Sequence, residues 1–145
     1  MTATTTLSQL VQRHYAEVDT DDYSDAAEIF SADVVTCPPG VGELHGIEPF
    51  VAYGHGFHRA FPDGRIHADR YVESGDLVVV EGRFTGTNTG PLESPAGTLP
   101  PTGRPMVLPF ADVFRVADGR ITEHRIYYDT ASMLGQLGLL PAPTG

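Results

Sequence analysis

The sequence predicts an α+β fold: a curved antiparallel sheet wrapped around three helices, with an apolar pocket between them. Three observations carry this prediction. Apolar residues recur at helical spacing up to residue 61. From residue 65 onward they alternate in strand fashion. Turn signals at Asp63-Gly64, Gly75-Asp76 and Asp118-Gly119 divide the second part into short strands.

The elements follow in order. Leu7, Leu10, Val11, His14, Tyr15 and Val18 form a helical stripe, so residues 6–18 read as an amphipathic helix capped by Thr6 or Thr5. Asp19, Asp21 and Asp22 form a solvated break. Residues 24–30 read as a second, short helix with Ala26, Ala27, Ile29 and Phe30 available for packing. Residues 34–37 form a short strand ended by Pro38 and Pro39. Ile47, Phe50, Val51, Phe57 and Phe61 mark a third helix, which Gly54 and Gly56 weaken. Residues 65–72 and 77–87 are strands. Residues 89–102, rich in Pro and Gly, read as a long loop, a flap near a rim. Two further strands form a hairpin around Asp118-Gly119, and residues 131–139 form a short closing helix, which Asp129 is placed to cap. The chain reads as a single domain over residues 1–145, with a loose tail at 140–145.

Composition narrows the function. Net charge is −10 and 41% of residues are hydrophobic. No basic stripe exists to neutralise phosphates, which argues against nucleic acid and anionic membranes. The single cysteine, Cys37, allows no internal disulfide and fits a reducing compartment, so the cytoplasm is the expected location. No apolar run is long enough to span a membrane, and the start of the chain lacks the pattern of a signal peptide.

The most informative residue is Asp112. In residues 108–116 (LPFADVFRV), strand alternation places Leu108, Phe110, Asp112, Phe114 and Val116 on one face. A carboxylate amid such neighbours is costly unless it is paired or neutralised. Ala117-Asp118-Gly119 suits a three-residue loop, which sets Val116 opposite Arg120, Phe114 opposite Thr122 and Asp112 opposite His124. Directly opposed Cβ atoms lie about 4.5–5.5 Å apart, within reach of a hydrogen bond. A two-residue turn shifts the register by one and breaks this pairing.

The motifs GTNTGP at 86–91, PPTGRP at 100–105, DVFRVADGRITEH at 112–124 and QLG at 136–138, with FHRAFPD at 57–63, resemble the SnoaL-like polyketide cyclase family of the nuclear transport factor 2-like superfamily. The resemblance covers nearly the whole chain in element order. It implies a cone-shaped α+β fold, an apolar cavity, a homodimer or larger oligomer, and a place in secondary metabolism. It also implies aldol ring closure of a polyketide without metal or organic cofactor. The family's catalytic aspartate stands two residues after the last-strand histidine. That position is Ile126 here, while a pocket histidine of the preceding strand falls at Asp112 and the last-strand histidine is kept as His124. Either the carboxylate has moved to the neighbouring strand or the cyclase activity is absent.

Asp112 and His124 are therefore the expected catalytic pair. Asp112 acts as base if desolvation raises its pKa, or it holds His124 in one tautomer so that the imidazole acts. A buried polar pair without catalysis explains the same residues equally well. Tyr128 shares their face and can donate to a substrate oxygen, or simply pack. Ile126 and Phe110 line the same face. His14, Tyr15, Tyr53 and His58 lie on helices that can wall the pocket. His55 and His58 lack further ligands, so no metal is expected. The expected ligand is a small apolar or aromatic carbonyl compound. A non-catalytic binding protein and an epoxide-hydrolase-like enzyme, which would need a second buried carboxylate near Asp112, are the alternatives.

Overall fold

A computed structural model describes residues 6–94 and 97–140. The expectations for the N-terminal leader and for the tail beyond Leu140 lie outside the described residues. Helix α1 (Leu7–Thr20) opens with a capping box: the Thr6 hydroxyl accepts from the Gln9 amide at 3.0 Å, and the Thr6 amide donates to Gln9 Oε1 at 2.8 Å. Helix α2 (Ala26–Ile29) is a single turn that runs directly into strand β1 (Phe30–Cys37). A two-residue strand β2 (Leu44–His45) precedes helix α3 (Ile47–Ala60). Strands β3 (Arg65–Ser74) and β4 (Leu77–Thr87) form the first hairpin. Short strands β5 (Leu92–Ser94) and β6 (Gly97–Leu99) pair within the segment expected to be irregular. Strands β7 (Pro105–Ala117) and β8 (Arg120–Tyr128) form the long hairpin, and α4 (Thr130–Gln136) follows them. Asp129 caps α4, as the sequence suggests: its carboxylate accepts from the amides of Ala131 and Ser132.

The main sheet has six strands in the order β2-β1-β8-β7-β4-β3 and is curved around the helices. It is antiparallel except where β1 runs parallel to β8. That junction joins distant parts of the chain and leaves no local signature. Two apolar clusters fill the inner side. The first packs Leu10, Val11 and Tyr15 of α1 against Val78, Val80, Phe114, Val116 and Ile121. The second gathers Phe61, Phe84, Met106, Leu108, Met133 and Leu137. Gly54 has a structural reason inside α3: a Cβ there would collide with the Tyr23 hydroxyl, which presses against the helix backbone.

The β7–β8 register corrects the expectation. The turn is the two-residue Asp118-Gly119, with φ of 53° and 75°, so Ala117 pairs with Arg120 and Val116 with Ile121. Positive φ at both central residues is the mark of a turn matched to strand twist. A bulge then follows, because Arg115 pairs with Glu123 and leaves Thr122 as an extra residue. The tight turn moves the pairing by one position and the bulge by another. Ile121, not Thr122, therefore faces inward beside the turn. Beyond the bulge the faces come back into phase. Phe114 stands opposite His124, and Asp112 stands opposite Ile126. His124 is thus the diagonal neighbour of Asp112 on the same face, and it remains within reach.

Candidate active site

α1, α3 and the inner faces of β4, β7 and β8 enclose a cavity of about 100 Å³. Every side chain that the sequence nominates lines it: Asp112, His124, Tyr128, Ile126, Phe110, His14, Tyr15, Tyr53 and His58. Tyr23, Phe50, Phe57, Phe61 and Phe84 add further aromatic wall. None of the lining residues is Lys or Arg.

Asp112 is 4% exposed and His124 3%. Strand alternation brings both inward, with Val80 and Ile126 as the direct cross-strand neighbours of Asp112. The two carboxylate oxygens have different surroundings. Oδ2 accepts a 2.7 Å hydrogen bond from the Tyr15 hydroxyl. Oδ1 lies 3.3 Å from His124 Nε2. That contact is close enough for an ion pair but poorly aligned, and neither atom makes a hydrogen bond there. Burial, and then the adjacent Asp112 carboxyl, push the Tyr15 phenol far above its ordinary pKa. Tyr15 therefore stays a donor. The His124 ring stacks on Phe114 with centroids 4.1 Å apart, which fixes its plane.

Tyr53 on α3 and Tyr128 on β8 meet across the cavity, hydroxyl to hydroxyl, at 3.0 Å. Burial raises both phenols, and in Tyr53 the neighbouring Tyr128 adds to the effect. One hydroxyl must donate to the other, so the pair keeps one O–H proton free for a third partner. His58 sits half-buried at the edge, 3.9 Å from Asp21 Oδ2, while His55 Nδ1 lies 2.8 Å from Asp21 Oδ1. These contacts tie α3 to the C-terminus of α1. Among the described residues, no group of three or more His, Cys, Asp and Glu is placed to hold a metal ion.

His14 is 3% exposed, and its ring lies 5.3 Å from that of His124, centroid to centroid. Burial, reinforced by His124, pulls its pKa well below the ordinary imidazole value, so His14 is neutral at neutral pH. Behind it stands a residue that the sequence reading passed over. Glu17 is 5% exposed, and its Oε1 lies 3.6 Å from His14 Nδ1. Both Glu17 oxygens and His14 Nδ1 lack hydrogen-bond partners. Burial above all, with Asp25 and Asp22 nearby and Arg13 partly offsetting them, lifts the Glu17 carboxyl to about 7. The signal for Glu17 was present: it sits three residues after His14 and seven after Leu10, on the apolar stripe of α1.

The model of the SnoaL-like polyketide cyclase family matches residues 9–137. The chain belongs to the SnoaL-like polyketide cyclase family. Solved structures agree on the fold. A candidate SnoaL-like polyketide cyclase from Jannaschia is 23% identical, with a TM-score of 0.82 and 92% of each chain covered. IdmH from Streptomyces antibioticus, a candidate polyketide cyclase, is 29% identical, with a TM-score of 0.76, 90% of this chain and 97% of that one covered. A protein with a ketosteroid isomerase-like fold from Catenulispora acidiphila, solved with trimethylamine, is 20% identical, with a TM-score of 0.77, 93% of this chain and 96% of that one covered. No curated protein matches the sequence. Within this SnoaL-like chain, Asp112 faces Ile126, the position where the resemblance expects the catalytic aspartate. Both side chains line the cavity.

Proposed function

We propose that the protein is a cofactor-free acid/base enzyme that closes a ring in a small polyketide-like carbonyl compound by aldol chemistry. The observation that carries this reading is the Asp112 carboxyl. One of its oxygens is anchored by Tyr15 and the other is left without a hydrogen bond, inside an aromatic cavity. Asp112 takes a proton from carbon next to a substrate carbonyl. The free O–H of the Tyr53–Tyr128 pair donates to the enolate oxygen as charge builds there. His124 abuts the same carboxyl and is the group onto which the proton can pass. Enolate carbon then attacks the second carbonyl and leaves an alkoxide that needs a proton.

Cavity size narrows the substrate. An engineered cavity of about 150 Å³ holds one benzene ring, whereas drug-sized ligands need roughly 300–1,000 Å³. At about 100 Å³ this cavity is smaller than either, so it suits the reacting end of a chain, and a single ring only as the aromatic walls give way. Neutral or aromatic carbonyl compounds match a wall with no Lys or Arg. The facing of Asp112 and Ile126 supports a relocated base over decay to a pure binding protein. Glu17, the second buried carboxyl, lies beside His14 and does not line the cavity, so the epoxide-hydrolase-like reading gains nothing from it.

A homodimer belongs to the same reading. Val107 and Tyr127, about half exposed, lie on the outer sheet face, where polar side chains would suit solvent. Tyr127→Glu is expected to shift sedimentation from dimer to monomer. Among the described residues no helix is long and apolar enough to cross a membrane, and the free thiol of Cys37 supports a cytoplasmic location.

The test is single-turnover cyclisation of short linear poly-β-ketones. Asp112→Asn is expected to abolish ring closure while calorimetry still detects binding. Equal rates in the variant and the parent would overturn the assignment.

A further inference from the structure

The reaction needs an acid for the new alkoxide, and the cavity wall holds a group not yet used. We propose that His14 is that acid and that Glu17, which does not line the cavity, is the positioning residue that resupplies its proton. The assignment of the reaction rests on the reading above; the linkage between Glu17 and His14 does not.

The geometry points in one direction. His14 lines the cavity, while its Nδ1 turns away from solvent toward Glu17 Oε1 at 3.6 Å. On the other side of the ring system, His124 lies 5.3 Å away by centroids, and beyond it Asp112 Oδ1 lies 3.3 Å from His124 Nε2. The site therefore contains two carboxyl–imidazole pairs whose rings touch. In such a dry cluster two adjacent imidazolium ions repel strongly, so only one can be charged at a time. Pairing each ring with its own carboxyl lets one pair accept a proton while the other gives one up.

The step balances. Neutral His14 carries its proton on Nε2, and Glu17 is protonated. The alkoxide takes the Nε2 proton as Nδ1 takes the carboxyl proton of Glu17. The products are the alcohol, the other neutral tautomer of His14, and the Glu17 carboxylate. Reprotonation of Glu17 from solvent and return of the ring tautomer reset the pair. Catalytic hydrogen bonds are often long in unliganded sites and tighten on binding, which the gap at Glu17 requires.

The surroundings of Glu17 favour a carboxyl that holds a proton. Its oxygens are buried and unpartnered. The like charges of Asp25 and Asp22, in the connection to α2, add to the effect of burial, and Tyr23 lies near enough to be affected by the charge of Glu17. Among the described residues, Arg13 on the same helix is the cation that partly offsets these like charges, and Arg13 is drawn off to Glu28 at 3.0 Å. A purely structural role would need no acid here, since an apolar side chain would fill the space without the burial penalty.

The experiment needs no substrate, so its outcome is independent of the cyclase reading. Protein labelled in histidine ring nitrogens and glutamate carboxyl carbons is titrated by NMR. The Glu17 carboxyl is expected to titrate near 7, and the His14 ring nitrogens to change tautomer balance with the same midpoint. In Glu17→Gln the His14 step should vanish while the His124 ring signals keep their wild-type positions. A Glu17 midpoint at the ordinary 4.5, or an unchanged His14 step in Glu17→Gln, would overturn the relay. The wild-type titration decides the first point even if the variant folds poorly.

Discussion

Two buried polar sites in this molecule behave in opposite ways. Asn88, 0% exposed, has its side chain fully engaged: its amide donates to the carbonyls of Ala60 and Gly90, and its carbonyl accepts from the amide and hydroxyl of Thr102. Its backbone is engaged as well, with Arg104 and Gly103. Asn88 thereby pins the base of the segment that carries β5 and β6. At the other site, Asp112, His124, His14 and Glu17 are almost as buried, yet each keeps at least one atom without a hydrogen bond. Buried polar groups that hold a fold are satisfied within it. The difference teaches that the second set is organised for something absent from the chain itself: a substrate oxygen or a moving proton.

Mutations can sharpen or break this contrast. The largest effect is expected at Asp112→Asn, which should lower turnover by about 10²–10⁴-fold with little change in denaturation midpoint. Asn88→Ala should do the reverse. It strands the buried groups that Asn88 satisfies, so urea denaturation should show a loss of roughly 4 kcal/mol, with ligand affinity retained once the protein is folded. Loss of activity without loss of stability at Asn88 would blur the distinction.

Glu17→Gln should stabilise the protein in a pH-dependent way. The folded-state pKa, about 7, lies above the ordinary 4.5, so ionising Glu17 opposes folding. The penalty is absent below pH 4.5, grows between 4.5 and 7, and is complete above 7. Wild type and variant should therefore match at pH 4, while at pH 8 the variant should gain roughly 3 kcal/mol in urea denaturation. A constant difference across pH would show that Glu17 titrates alike in the folded and unfolded chain, and would contradict the raised carboxyl pKa. The smallest effect is expected at Tyr128→Phe, which leaves Tyr53 as the remaining donor. Turnover should fall about tenfold, close to one hydrogen bond's worth of stabilisation.

Much of this was legible in the sequence, for physical reasons. Helical spacing announced α1 and α3, and alternation announced β3, β4, β7 and β8, because one face of each is buried. Alternation also placed Asp112, His124, Ile126 and Tyr128 on one surface, and the structure keeps them there. The register was misread because Asp118-Gly119 suits both a two-residue and a three-residue loop, and because nothing in Thr122 announces a bulge. The paired strands β5 and β6 hid in a Pro- and Gly-rich stretch, and β2 is too short to show a period. Glu17 was overlooked because a glutamate on a helix is usually solvated. Its spacing from Leu10 and His14 on the stripe of α1 was the cue to its burial.

The central claim is that the free oxygen of Asp112 removes a proton from carbon beside a carbonyl. Cyclohexanone, one ring in size, is a suitable probe in deuterated buffer. NMR should show faster exchange of its α-hydrogens with wild-type protein than in buffer, and that acceleration should disappear in Asp112→Asn. Exchange as fast in the variant as in the parent would contradict the account.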